Sequence, residues 1–206
     1  MISLTPEEEI TKRSYDKFAS QWAPRHMTPR FWGKEMDKFK ELLPQGKVLE
    51  VGAGGGRDAR ALIKAGYDYV GTDISGPLLA EAKKNVPGAQ FEQVSLYDLD
   101  FPYKFDGFWC AAVLLHIPKK YISKALKAIK RNLKSGAIGF IAIKEGDEEK
   151  MENDPDDHGG GRFFAYWQND EFKDVLESNG LDVLKEGYVP ISERTKWLTY
   201  HVKVRE

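Results

Sequence analysis

Lys47-Val48-Leu49-Glu50-Val51-Gly52-Ala53-Gly54-Gly55-Gly56-Arg57-Asp58 is the stretch that decides how this chain folds. Val48, Leu49 and Val51 make its first half read as a short buried strand. The glycines that follow let the backbone turn tightly and come close to a ligand. A helical pattern near 57–65 begins at once, and Gly66 ends it. Strand, glycine loop and helix start in that order gather backbone N–H groups where a ligand can meet them. Taken alone, such a loop is only a tight turn. The next strand, Tyr67 to Thr72, stops at Asp73, twenty-one positions after Gly52. A carboxylate there is placed to accept both hydroxyls of a ribose. Asp73 also reads as a helix cap, and the two roles are compatible.

Outward from this stretch, short β-rich runs alternate with helical patterns, as in a parallel sheet with crossover helices. Ser75 caps a helix that carries Pro77 in its first turn and runs to about Asn85. Phe91 to Val94, Phe105 to Ala112 and Ala137 to Lys144 read as further strands, the last apolar enough to be buried on both faces. Pro118 opens an amphipathic helix between the last two. A helix from about Asn169 to Ser178 precedes two β-rich segments, Leu181 to Val189 and Lys196 to Val204. Their joining loop is too short for a crossover, so they should pair antiparallel. The pattern predicts an α/β fold: one doubly wound, Rossmann-like sheet of seven strands, mostly parallel, with an antiparallel C-terminal hairpin. Residues 6–22 and 31–43 add N-terminal helices. The expected organisation is a single domain over 1–206, with a helical cap at 1–45, a core at 46–206 and a flap at 145–167. The acidic, then glycine-rich stretch Glu145 to Gly161 reads either as part of that flap or as a connection without order.

Composition narrows the function. The 206 residues carry 31 Lys and Arg against 32 Asp and Glu, a net charge of −1 that lacks the basic excess of a nucleic-acid binder. Lys119, Lys120, Lys124, Lys127, Lys130, Arg131 and Lys134 interleave with apolar residues at helical spacing, so they read as a solvated helix face. The longest apolar runs are too short to span a bilayer. No basic start precedes an apolar stretch, so no secretory signal is expected. The one cysteine, Cys110, allows no internal disulfide and makes a cytoplasmic location the expectation. A monomer or homodimer is expected.

Two cofactor classes share a glycine loop followed by an acidic strand end. A nicotinamide site needs Gly-x-Gly-x-x-Gly, and that register puts Arg57 at the last glycine. An S-adenosylmethionine site has no pyrophosphate to cradle, and suits an acidic residue before the loop such as Glu50. The residues favour the second. The string Val48 to Asp58 resembles the first motif of class I S-adenosylmethionine-dependent methyltransferases, and Tyr69-Val70-Gly71-Thr72-Asp73 resembles their ribose-binding strand end. Ser95-Leu96-Tyr97-Asp98 is similar to the segment beside the adenine, and Phe105 to Pro118 to the fourth motif. Leu114-Leu115-His116-Ile117-Pro118, Ile143 to Gly146 and Gly161 to Trp167 are similar to a subgroup of small tellurite-resistance-like enzymes. Leu133-Lys134-Ser135-Gly136-Ala137 departs from the Pro-Gly-Gly of many relatives, which affects a turn and not the site. The resemblance covers roughly residues 10–205. Its motifs are specific for cofactor and fold and unspecific for substrate.

The resemblance implies that S-adenosylmethionine is held by Glu50, Gly52, Ala53 and Gly54, by Asp73 and Ile74, by Leu96, Tyr97 and Asp98, and by Ala112, leaving S-adenosylhomocysteine as product. Tyr15, on a helix resembling one that closes over the cofactor, would contact the methionine carboxylate. The acceptor would be a small molecule, met by His116, Lys144, Arg162, Phe164 and Tyr166. His116 reads either as a base titrating near neutrality or as a packed residue before Pro118. Arg162 reads either as the holder of an anionic acceptor or as a partner of Asp156 or Asp157. Phe163, Phe164, Tyr166 and Trp167 suggest an aromatic pocket, and core packing accounts for some of them equally well. His158 with Asp154, Asp156 and Asp157 invites a metal reading, but no second histidine or cysteine stands at ligand spacing and no metal is expected. An RNA or protein methyltransferase, or a non-catalytic S-adenosylmethionine-binding protein, are the alternatives.

Overall fold

The computed structural model describes residues 4–28, 31–153, 161–192 and 195–206. Two helices lead, α1 (Pro6–Arg25) and α2 (Gly33–Leu42), followed by β1 (Lys47–Val51), α3 (Arg57–Lys64), β2 (Asp68–Asp73), α4 (Gly76–Asn85) and β3 (Gln90–Gln93). The second half runs β4 (Phe105–Ala111), α5 (Ile122–Lys130), β5 (Leu133–Lys144), β6 (Glu149–Asn153), β7 (Gly161–Ala165), α6 (Asn169–Ser178), β8 (Leu181–Pro190) and β9 (Lys196–Val204). Seven strands form one sheet in the order β3-β2-β1-β4-β5-β9-β8. β1 to β5 pair in parallel, whereas β9 is antiparallel to both β5 and β8. The predicted doubly wound sheet with its C-terminal hairpin is therefore the observed one.

Alternation along the strands sends side chains to two cores, as the two-residue period of a strand requires. Leu49, Val51, Phe108 and Cys110 pack with Leu126 and Ile129 of α5 and Phe172 and Leu176 of α6. On the other face Val48, Trp109 and Phe140 pack with Phe39 of α2 and Leu62 of α3. Trp109 stacks on Phe140 at 4.0 Å between ring centroids, and both are fully buried. Cys110 lies in the first core with its thiol pushed up to about 12 by burial, so it behaves as a small apolar residue. No helix among the described residues is long and apolar enough to cross a membrane.

Several boundaries differ from those the sequence suggested. α1 does not stop at residue 22 but runs through Pro24 to Arg25, because Ala23 is buried beneath the glycine loop and Trp22 stacks on His26. A single 3₁₀ turn, Lys119–Tyr121, comes between Pro118 and α5. β5 begins four residues early, at Leu133, across an irregularity in its pairing with β4. The stretch after β5 is not without order over its whole length: β6 and β7 form a separate antiparallel pair. The polar sequence of β6 hid this strand, whose partner is anchored by buried Phe163 and Phe164. Asp154, Asp156, Asp157 and His158 lie outside the described residues.

Candidate functional site

β1, β2, β4 and β5 end at one edge of the sheet, and the chemistry-bearing residues gather there. Gly52, Gly54 and Gly56 take φ values of 76°, 52° and 87°, a region open to glycine at little cost. The loop they form is tied to β2. Gly52 and Ala53 donate to the Thr72 carbonyl at 2.7 and 2.8 Å, and Gly54 donates to Asp73 Oδ2 at 2.8 Å. Asp73 Oδ1 accepts from Ser75 N at 2.8 Å, so this carboxylate already joins the loop to the start of α4. The helix cap is Ser75, whose hydroxyl accepts from Leu78 N. Ala112, following β4, has φ 62° and is the only non-glycine residue with positive φ among those described. Such a conformation costs about 1–2 kcal/mol in an L-residue, which marks a place the surrounding structure holds firmly.

Beneath the loop lies a buried polar network. Glu50 accepts from the Tyr69 hydroxyl, and Asp58 is gripped by Arg57 (Nε 2.6 Å, Nη2 2.9 Å) and by Trp109 Nε1 at 3.0 Å. Burial, then the nearby Asp58 charge, pushes the Glu50 carboxyl up to about 8, against the Tyr69 hydrogen bond. The Arg57 charge opposes that rise.

Over the edge opens a cavity of about 530 Å³. Its lining includes Tyr15, Glu50, Gly52, Ala53, Gly54, Asp73, Ile74, Leu96, Tyr97 and Ala112, together with His116, Lys144, Arg162 and Phe164. Two sequence candidates are not in the lining. Asp98 closes a 3₁₀ turn in which Tyr97 takes the inward place, its hydroxyl donating to Glu8 at 2.7 Å. Tyr166 turns its hydroxyl to Glu152 at 2.9 Å within the β6–β7 pair. Sequence reasoning missed Glu8, Trp22, Phe31, Trp32 and Trp197, all of which line the cavity. The seven-residue spacing of Tyr15 and Trp22, two turns of one helix face, was the available signal; their rings meet edge to face at 5.3 Å.

His116 is presented by a short 3₁₀ turn, Leu114–His116, just after β4. Its Nδ1 lies 2.6 Å from the Phe163 carbonyl, and Nε2 lies 3.0 Å from the Tyr15 hydroxyl. A carbonyl only accepts, so Nδ1 carries the proton and Nε2 accepts from Tyr15. Arg162 Nη1 in turn donates to the Tyr15 oxygen at 3.3 Å. The expectation that His116 titrates near neutrality is corrected. Desolvation holds its pKa well below the ordinary histidine value, the Phe163 hydrogen bond opposes this, and the Arg162 and Lys144 charges add to the depression. His116 is neutral across the physiological range.

That depression has a sign. As pH falls below about 6.5 the unfolded chain takes up a proton on this histidine while the folded chain does not, so stability is lost toward acid. Allowing for the solvent that reaches the ring from the cavity, the loss between pH 6.5 and 5 is about 1 kcal/mol. We predict that His116→Asn, which keeps a donor for Phe163, removes this part of the acid sensitivity. Parallel denaturation curves for the two proteins over that pH range would contradict the buried neutral assignment.

Residues 48–136 match the family model described as a methyltransferase domain, so the core of the chain carries that domain's sequence pattern. A ubiquinone biosynthesis O-methyltransferase of Pseudomonas syringae pv. tomato is 30% identical over 141 residues, 66% of this chain and 59% of that one. The chain spans between 19% and 59% of the length of the curated relatives it matches. Among solved structures, it resembles the Burkholderia thailandensis 1,6-didemethyltoxoflavin-N1-methyltransferase with bound 1,6-didemethyltoxoflavin and S-adenosylhomocysteine. The TM-score is 0.80 at 16% identity, covering 100% of this chain and 93% of that one. It also resembles the magnesium protoporphyrin IX methyltransferase of Synechocystis with bound S-adenosylmethionine, with a TM-score of 0.73 at 15% identity and 100% coverage of both chains. The fold is that of S-adenosylmethionine-dependent methyltransferases.

Proposed function

We propose that this chain transfers a methyl group from S-adenosylmethionine to a small-molecule acceptor and releases S-adenosylhomocysteine. The observation that carries this reading is the single cavity joining the glycine loop and Asp73 to the wall built by Tyr15, His116 and Phe164. The residues at the loop end suit this cofactor. Gly52 and Gly54 leave the backbone bare where a ligand approaches, and Asp73 keeps lone pairs beyond the two that its backbone donors use. Tyr97 and Leu96 offer apolar surface for a base. Arg57, in place of a third spaced glycine, turns inward onto Asp58 and away from a pyrophosphate role. The names of matched proteins, a ubiquinone biosynthesis O-methyltransferase, a 1,6-didemethyltoxoflavin-N1-methyltransferase and a magnesium protoporphyrin IX methyltransferase, favour a small acceptor over a macromolecule. The Leu114 to Pro118 and Gly161 to Trp167 strings add support for the small tellurite-resistance-like subgroup.

When bound, the cofactor supplies a methyl group on a sulfonium, ready for in-line displacement. The chain then has to align the acceptor and exclude water. Phe164 and Trp197 wall the acceptor end, and α1 lies across the loop end through Trp22 and Ala23. His116 has both nitrogens engaged, so it serves as a positioning residue that fixes the Tyr15 hydroxyl over the cavity.

The test is calorimetric titration of the full chain with S-adenosylmethionine, S-adenosylhomocysteine and NAD in parallel. Micromolar binding of the first two and none of NAD is expected; binding of NAD alone, or of none of the three, sinks the reading. In the same assay His116→Asn is expected to keep cofactor affinity. Loss of that affinity would make His116 part of the cofactor site instead.

A further inference from the structure

We infer that the methyl acceptor is a flat conjugated ring, seated in an aromatic corner at the β5–β9 end of the cavity. This rests on the methyl-transfer reading above and deepens it to a class of acceptor. Three lining rings make the corner: Phe31 and Trp32, just before α2, and Trp197 at the start of β9. Trp32 is its floor, buried and packed against Phe140 of β5 at 5.7 Å between ring centroids. Phe31 and Trp197 are partly buried and form the walls. Each meets Trp32 at a right angle, with interplanar angles of 90° and 86° and centroid distances of 4.6 and 5.4 Å. Phe164 of β7 comes to the same end: Lys144 Nζ lies 4.1 Å from its ring centroid and 6.0 Å from that of Trp197.

Aromatic rings carry a negative face and a positive edge, so ring pairs favour offset stacking or edge-to-face contact. A flat ring laid against Phe31 or Trp197 stands at right angles to Trp32 as well. It can therefore stack on a wall and meet the floor edge to face in a single pose. A saturated ring of the same size buries comparable apolar area, but it has no quadrupole and its pucker keeps it from lying flush. The corner has little freedom to adapt to such a shape. Phe140 beneath the floor is stacked on Trp109, and both are fully buried. Arg57 Cζ lies 4.9 Å over the Phe31 ring and is itself held by Asp58, which fixes that wall. The cofactor's own adenine is not the occupant. Leu96 and Tyr97, proposed to take it, follow β3, whereas Trp197 opens β9, and four strands of the sheet lie between those two.

The experiment uses the full chain saturated with S-adenosylhomocysteine and three matched pairs of probes: 2-naphthol, 2-naphthoate and salicylate, each with its fully saturated counterpart, titrated by calorimetry. At least one aromatic probe is expected to bind about tenfold more tightly than its saturated partner. Trp197→Leu, which keeps an apolar side chain and removes the ring, is expected to cut that preference to below about threefold while S-adenosylhomocysteine affinity stays within about twofold. Phe31→Leu, at the other wall, is expected to do the same. Absence of binding by all three aromatic probes to the saturated chain overturns the inference. So does equal binding of aromatic and saturated partners, or a preference unchanged in the Leu variants. Loss of S-adenosylhomocysteine affinity in both variants also overturns it, since the rings would then serve the cofactor or the fold. Failure of S-adenosylhomocysteine to bind the native chain is a separate result, which removes the methyl-transfer reading on which the inference stands.

Discussion

Gly52→Val is expected to abolish measurable S-adenosylhomocysteine binding and to lower the melting temperature by about 6–12 °C. Two effects combine at this position. At φ 76° a β-branched residue is strained, costing about 1–3 kcal/mol. A Cβ there would also overlap Val113 Cγ2. Val113 is itself β-branched and precedes the 3₁₀ turn that presents His116, so it has little freedom to withdraw. Relief of the overlap has to displace either the glycine loop or that turn, and both line the cavity. The sum is about 3 kcal/mol of stability, and affinity falls by more than about 100-fold because the displaced backbone is the proposed binding surface. Thermal denaturation and calorimetry on the same preparation separate the two effects. A variant that melts early yet binds normally would show that the ligand sits elsewhere in the cavity.

The second large effect is expected from Asp73. Removing its carboxylate in Asp73→Ala takes away acceptors from Gly54 N and Ser75 N as well as the proposed ribose contact. Charge-assisted hydrogen bonds of this kind are worth about 1–3 kcal/mol, so affinity for S-adenosylhomocysteine should drop about 10- to 100-fold. Stability should fall by about 2 kcal/mol from the two orphaned backbone donors. Asp73→Asn distinguishes the roles: it keeps one acceptor oxygen for the backbone and loses the charge. Calorimetry in which both variants bind as tightly as the native chain would end the ribose assignment.

The parallel half of the fold was legible because its signals are local. The glycine loop, the acidic strand end at Asp73 and the Ser75 cap each follow from residues within a few positions of one another. β6 was not legible, since Glu149–Asn153 has no apolar alternation and pairs only because β7 presents buried Phe163 and Phe164 across from it. The cofactor candidates were mostly found from motif strings, and all but Asp98 reach the cavity. The behaviour of His116 was beyond sequence reasoning. It depends on Tyr15 and Phe163, 101 and 47 positions away, and on desolvation that no local pattern encodes. Trp32 and Trp197, from opposite ends of the chain, meet over the cavity for the same reason: their contact is a product of topology.

One helix reaches several separate parts of the site. Glu8 of α1 holds Tyr97, Thr11 accepts from Phe163 N at 2.8 Å, Tyr15 meets His116, and Ala23 fills the space beside Gly55. Between Glu8 and Ala23 the helix advances roughly 22 Å at 1.5 Å per residue. It therefore acts as a ruler laid across the mouth of the cavity. A residue inserted midway would rotate everything beyond it by about 100° and carry those contacts off their targets together. Substitutions on its solvent face leave that distance unchanged, whereas a change of length does not.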